Sequence, residues 1–163
     1  MKKQLTQLSI IMCILCIPIF CYAEWAAIIS AQGQPIDGLY KSNIIIGGAD
    51  VGSSNPAPPQ APVFSCAIVI LSEDWHSRLS QSMKGADDIK EWVLEINPCG
   101  NACGFNEAST TVRWQPDQLG PGVFEIREGY DGTGQIVVAD MKKSDNFTIT
   151  GANEPFYYTI IKR

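Results

Sequence analysis

Histidine is nearly missing from this chain: His76 is the only one among 163 residues. A single imidazole all but empties the list of histidine-based catalytic triads and metal sites. Cations are scarce as well. There are 12 Lys+Arg against 17 Asp+Glu, a formal net charge of −5. Nucleic-acid binding draws its affinity from clustered Lys and Arg, so no nucleic-acid partner is expected. The sequence contains no G-x-S-x-G nucleophile elbow, no Cys-x-x-Cys-His haem attachment and no helix-loop-helix calcium pattern. No apolar run reaches the roughly 20 residues that cross a bilayer. What is present is a chain 45% hydrophobic and 18% charged, apolar enough to build a core and too weakly charged for generic disorder. Its length fits one domain, or one domain plus a processed segment.

Residues 1–23 read as that processed segment. Lys2 and Lys3 are followed by an apolar run over residues 8–20, and Cys21-Tyr22-Ala23 places small residues at −3 and −1. This is the layout of a secretory signal peptide cleaved before Glu24. Cys13, Cys16 and Cys21 follow Met12, Leu15 and Phe20, so none sits in the small-residue setting of a lipidation site. Residues 24–163 are then a 140-residue mature chain with 10 basic and 17 acidic side chains, a net of −7. Its expected destination is extracytoplasmic: secreted, periplasmic or on the cell surface, with no membrane span after cleavage.

Alternation with period two dominates the mature part. Nine short runs have the look of strands, at residues 25–29, 39–46, 64–71, 89–97, 109–114, 122–128, 135–141, 146–150 and 156–162. Gly, Pro, Asn and Asp clusters separate them. Trp25, Trp92, Trp114, Phe124, Phe147 and Phe156 fall on the apolar sides and are the candidate aromatic core. This pattern predicts an all-β, antiparallel two-sheet sandwich in one domain. Residues 49–62 carry four prolines and are expected as an extended crossover without ladder bonds. A short helical turn is expected near residues 74–84.

Few residues promise chemistry. His76, between Trp75 and Ser77, reads as a solvated loop histidine. Cys99 and Cys103 are close enough to close a small loop. The oxidising destination favours a disulfide over free thiols or a metal pair, and Cys66 is left over. Asp131 and Asp140 read as solvated turn residues. No catalytic residues, metal ligands or cofactor are expected. The candidate contact residues are three loop aromatics, Trp75, Tyr40 and Tyr130, which can stack on sugar faces or anchor a protein partner.

The order of features resembles a known group. Trp25 opens a first strand; Gly47-Gly48-Ala49-Asp50 ends the second and precedes Asn55-Pro56-Ala57-Pro58-Pro59. Asp87-Asp88-Ile89 leads into Trp92-Val93-Leu94-Glu95-Ile96, and Thr111-Val112-Arg113-Trp114 follows. This series resembles the immunoglobulin-like or fibronectin type III-like modules of bacterial secreted and cell-surface proteins. It departs from them in the Cys99–Cys103 loop and in lacking a second aspartate before the prolines. The resemblance implies a non-enzymatic binding or assembly role at the envelope, with a protein or polysaccharide partner. The competing expectations are a carbohydrate-binding module using the loop aromatics and a small secreted hydrolase.

Overall fold

The structure, a computed structural model, describes residues 23–34, 38–61, 63–71, 76–85, 88–99, 107–152 and 154–163. The elements run β1 (Ala23–Gly33), β2 (Tyr40–Ala49), β3 (Ser53–Pro56), β4 (Ser65–Leu71), β5 (His76–Lys84), β6 (Glu91–Asn97) and β7 (Ala108–Arg113). A 3-10 turn at Pro116–Gln118 follows, then β8 (Phe124–Glu128), β9 (Ile136–Val138), β10 (Asn146–Gly151) and β11 (Phe156–Lys162). The chain is all-β, and each of the nine runs expected from the alternation contains a strand.

Alternation decides what each strand buries. On β1, Trp25, Ala27, Ile29 and Ala31 are buried, while Ile28, Ser30 and Gln32 face the other way. Trp92, Leu94 and Ile96 of β6, Phe124 and Ile126 of β8, and Tyr158 and Ile160 of β11 join the same core. Each large apolar side chain hidden in this way contributes about 1.5–3 kcal/mol.

The strands form one sheet in the order β10-β7-β1-β2-β5-β4-β6-β11-β8-β9, with β3 pairing to β5 off that path. The sheet curls until its distant strands meet. Trp25 of β1 stands edge-on to Phe124 of β8 at 5.1 Å and to Trp92 of β6 at 5.8 Å. Phe147 of β10 meets Tyr158 of β11 at 5.0 Å. Glycine makes room for the Trp25 indole. Gly48 lies opposite Trp25 in the β1–β2 register, and a Cβ there would sit 2.5 Å from the indole nitrogen.

The architecture differs from a purely antiparallel pair of sheets. β5 runs parallel to β2, from Ile45↔Gln81 to Gly48↔Lys84, and antiparallel to β4. It therefore joins what would otherwise be separate sheets into one mixed sheet. The helical turn expected near 74–84 is corrected as well: His76–Lys84 is a strand. Ser77, Ser80 and Ser82 are poor helix-interior residues, since their hydroxyls compete for the backbone. Backbone pairing to β2, β3 and β4 then supplies the ladder that the local sequence leaves unspecified. His76 opens this strand opposite Leu71, so its backbone is in the sheet and not in a loop. The proline-rich segment, expected to make no ladder bonds, contributes the exposed edge strand β3. That strand ends at Pro56 with an irregularity between Asn55 and Pro56, the edge setting that proline tolerates.

The expected signal peptide lies outside the described residues except for Ala23, whose backbone pairs with Ala49. No helix among the described residues is long and apolar enough to cross a membrane. Cys99 is buried and disulfide-bonded; Cys103, its expected partner, lies outside the described residues.

Candidate functional site

The outward side chains of β1, β2, β7 and β10 fall into register across four neighbouring strands. Asn146, Arg113, Ser30 and Asn43 form one transverse row, and Thr148, Thr111, Gln32 and Lys41 form the next. Hydroxyls meet between the outer two strands: Ser109 Oγ lies 2.8 Å from Thr150 Oγ1, and Thr111 Oγ1 lies 3.4 Å from Thr148 Oγ1. Every second residue of these strands packs the core, so the polar set between them is displayed as a surface.

At one end of this face β7 stops pairing with β1. The last register pair is Ser30↔Arg113, and the chain then leaves the sheet through Trp114 into the Pro116–Gln118 turn. The Ile28 N–H consequently has no β7 carbonyl and donates instead to Gln118 Oε1 at 3.1 Å. Gln118 Nε2 donates to Gln115 Oε1 at 2.8 Å, which fixes both amides. Trp114 is anchored twice, its N–H on the Asp145 carbonyl at 3.0 Å and its indole Nε1 on the Met141 carbonyl at 2.8 Å. The gap so opened is a groove of about 410 Å³, lined by Ile28, Ser30, Gln32, Lys41, Asn43, Arg113, Trp114, Gln115, Gln118 and Asp145. That volume lies within the range of small-ligand sites.

A second cavity of about 220 Å³ is lined by Tyr40, Pro58, Pro59, Phe64, Cys66 and Arg78, among others. Cys66 is a free, buried thiol, and burial pushes its pKa up to about 12, with Arg78 opposing and Glu95 adding to the rise. Arg78 Nη1 lies 3.0 Å from Glu95 Oε1; this is a close ion pair whose angle is not that of a hydrogen bond. Tyr157 donates its hydroxyl to Glu95 Oε2 at 3.4 Å. Burial, and then the Glu95 charge, raise the Tyr157 pKa. These groups tie β5, β6 and β11 together on the face away from the core. A thiol held neutral in this way is a poor nucleophile.

The aromatics singled out from the sequence are not brought together. Tyr40 stacks obliquely on Phe64 at 6.5 Å, and Tyr130 stands edge-on to Tyr157 at 6.1 Å. Neither lines the groove, and Trp75 lies outside the described residues. The turn aspartates serve their own turns. Asp131 Oδ1 accepts from the Thr133 N–H at 3.0 Å and the Thr133 hydroxyl at 2.9 Å, and these bonds lower its pKa. Asp140 Oδ1 accepts from the Lys142 N–H at 3.0 Å and Oδ2 pairs with Lys143 Nζ at 3.2 Å. Among the described residues no group of three or more His, Cys, Asp or Glu side chains is placed to hold a metal ion.

Comparison with known proteins returns no match: no family model, curated protein or solved structure resembles the chain closely enough to identify it. Function is therefore argued from the groove. Sequence reasoning missed its residues because they are scattered between positions 28 and 145 and become neighbours only when β7 pairs with β1. The one local signal was the polar half of each alternating run: Ser30 and Gln32, Lys41 and Asn43, Thr111 and Arg113.

Proposed function

We propose that this chain is an exported, non-catalytic binding module of the bacterial envelope or cell surface, and that the groove beside Trp114 holds a polysaccharide chain. In this reading the curled sheet works as an immunoglobulin-like or fibronectin type III-like sandwich: β10-β7-β1-β2 is one layer and β6-β11-β8 the other. The ring contacts of Trp25 and Phe147 across the core support that division.

The observation that carries the ligand assignment is the groove lining itself. Gln32, Asn43, Gln115 and Gln118 are amides, Ser30 is a hydroxyl, and Ile28 is an apolar surface 46% exposed. An amide offers donor and acceptor side by side, matching vicinal sugar hydroxyls that also donate and accept. Ile28 supplies an apolar contact for the C–H face of a sugar ring. The lining holds one carboxylate, Asp145, where glycoside hydrolysis ordinarily uses two across the scissile bond. The arrangement is one of holding a ligand, on rigid strands, without a reacting group.

Affinity electrophoresis of the mature chain, residues 24–163, in native gels containing soluble polysaccharides tests this reading. Retardation in at least one polysaccharide is expected, and the Gln32→Ala, Asn43→Ala double variant should run at its unretarded mobility. Retardation that survives the double variant would move the ligand elsewhere, to the aromatics Tyr40, Trp75 and Tyr130 of the alternative reading. Cell fractionation with a C-terminal epitope tag checks export: the processed chain is expected outside the cytoplasm.

A further inference from the structure

Charge in the groove is opposite to that of the molecule. The chain carries a net −5, yet the groove lining contains two cations, Lys41 and Arg113, against one carboxylate, Asp145. Four cations elsewhere are held in ion pairs. The ion pairs among the described residues join Arg78 to Glu95, Arg127 and Arg163 to Glu125, and Lys143 to Asp140. Lys41 and Arg113 belong to none of these. Asp145, which shares the groove with them, is engaged by the Asn146 side-chain amide at 2.5 Å and lies in no ion pair with either cation.

The positions of the two cations are set by the sheet. Arg113 stands on β7 opposite Ser30, and Lys41 on β2 opposite Gln32. They flank β1 from either side, one transverse row apart. Strand spacing of ~4.8 Å and a two-residue rise of ~6.8 Å put their Cα atoms about 12 Å apart. Both side chains line the same cavity, with Ser30 and Gln32 on the strand between them and Asn43 beside Lys41 on β2. Arginine's planar fork matches a carboxylate bidentately, and a lysine adds a point charge.

We propose that the ligand is an acidic polysaccharide, a polyuronate, whose ring carboxylates are received by Arg113 and Lys41 while its hydroxyls meet the amides. This rests on the reading of the groove as a polysaccharide site and names the class of sugar within it. A neutral glycan would leave two unpaired cations facing it in the groove. A carboxylated one pairs them, and the acidic remainder of the surface repels the same polymer from other faces. Binding is accordingly strongest at low salt, because these side chains are solvent-accessible and screened within about 10 Å at 0.1 M salt.

Isothermal titration of the mature chain with three probes tests the proposal: polygalacturonate oligosaccharides, the same oligosaccharides fully methyl-esterified, and neutral galactan oligosaccharides. The free acid is expected to bind at least tenfold more tightly than its methyl ester at 50 mM NaCl, with the advantage shrinking at 500 mM. Arg113→Gln should remove most of that preference and Lys41→Gln part of it, while near-UV circular dichroism stays that of the parent. Both residues are exposed, so folding is not at stake. Equal affinity for acid and ester, or a preference untouched by Arg113→Gln, overturns the acidic assignment; the groove reading then survives if Gln32→Ala, Asn43→Ala still abolishes binding. Failure of all three probes to bind overturns the acidic assignment and counts against the groove as a polysaccharide site.

Discussion

Replacing Trp92 by Phe probes the contact that holds the bridging strand to the core. Trp92 is 1% exposed, and its indole Nε1 donates to the Ser82 carbonyl on β5 at 2.9 Å. β5 is the strand that joins the two parts of the sheet, so this bond fastens β6 to the seam. Phenylalanine cannot donate. Removing a hydrogen bond at a buried carbonyl costs about 1–3 kcal/mol. The smaller ring leaves a partial void beside Trp25, which adds roughly 1–2 kcal/mol. A loss of about 3 kcal/mol follows, a large part of the 5–15 kcal/mol that domains of this size possess. With a urea slope near 2 kcal/mol/M, the midpoint should fall by roughly 1.5 M. Far-UV circular dichroism is the probe of choice, since it does not depend on the tryptophan removed. Ile89→Ala is the matched control, because Ile89 is 74% exposed and should shift stability by no more than about 0.5 kcal/mol. If Trp92→Phe moved the midpoint no further than this control, the indole bond and the packing of β6 on the seam would be wrong.

Two further outcomes follow from other parts of the core. At Gly120 an added Cβ overlaps the Trp25 indole ring, so Gly120→Ala should cost about 1–3 kcal/mol and lower the thermal midpoint; an unchanged melt would refute that packing. Cys66 makes the pH dependence specific. Its pKa is raised from 9.0 to about 12 by burial, so the folded thiol keeps its proton where the unfolded one loses it. That stabilisation is complete below pH 9 and is lost at about 1.4 kcal/mol per pH unit as pH rises toward 12. Urea melts at pH 8, 9.5 and 10.5 should show a steeper alkaline decline for the parent than for Cys66→Ala, and parallel declines would show the thiol to be exposed. In the same samples, Ellman's reagent should label Cys66 slowly in the native state and at once in urea.

Alternation made most of the strands legible, because a side that packs the core must be apolar at every second position. Trp25, Trp92, Trp114, Phe124 and Phe147 could be assigned to the interior on that ground alone. β5 was illegible for the converse reason. Its Ser, Gln and Lys residues express no strong preference, and its conformation is imposed by register partners on β4, β3 and β2 that lie 5 to 36 positions away. The parallel pairing to β2 is likewise invisible locally, since register between distant strands has no signature in either one. The groove was hidden by the same fact. Ile28, Gln32, Asn43 and Arg113 each look like an ordinary outward residue of an ordinary strand, and only the β2-β1-β7 order makes them neighbours. A single ring is conspicuous in sequence but its neighbours are not: Tyr40 packs on Phe64 and Tyr130 on Tyr157.

Amide chemical-shift mapping tests the placement of the ligand most directly. A 15N-labelled mature chain is titrated with polygalacturonate oligosaccharides and, separately, with neutral galactan oligosaccharides. The predicted result is a cluster of perturbed amides at Ile28, Ser30, Gln32, Asn43, Arg113, Gln115 and Gln118, with Tyr40 and Tyr130 unmoved. Perturbations centred on Tyr40, Tyr130 or residues 72–75, with the groove amides silent, would contradict it, as would spectra unchanged by either sugar.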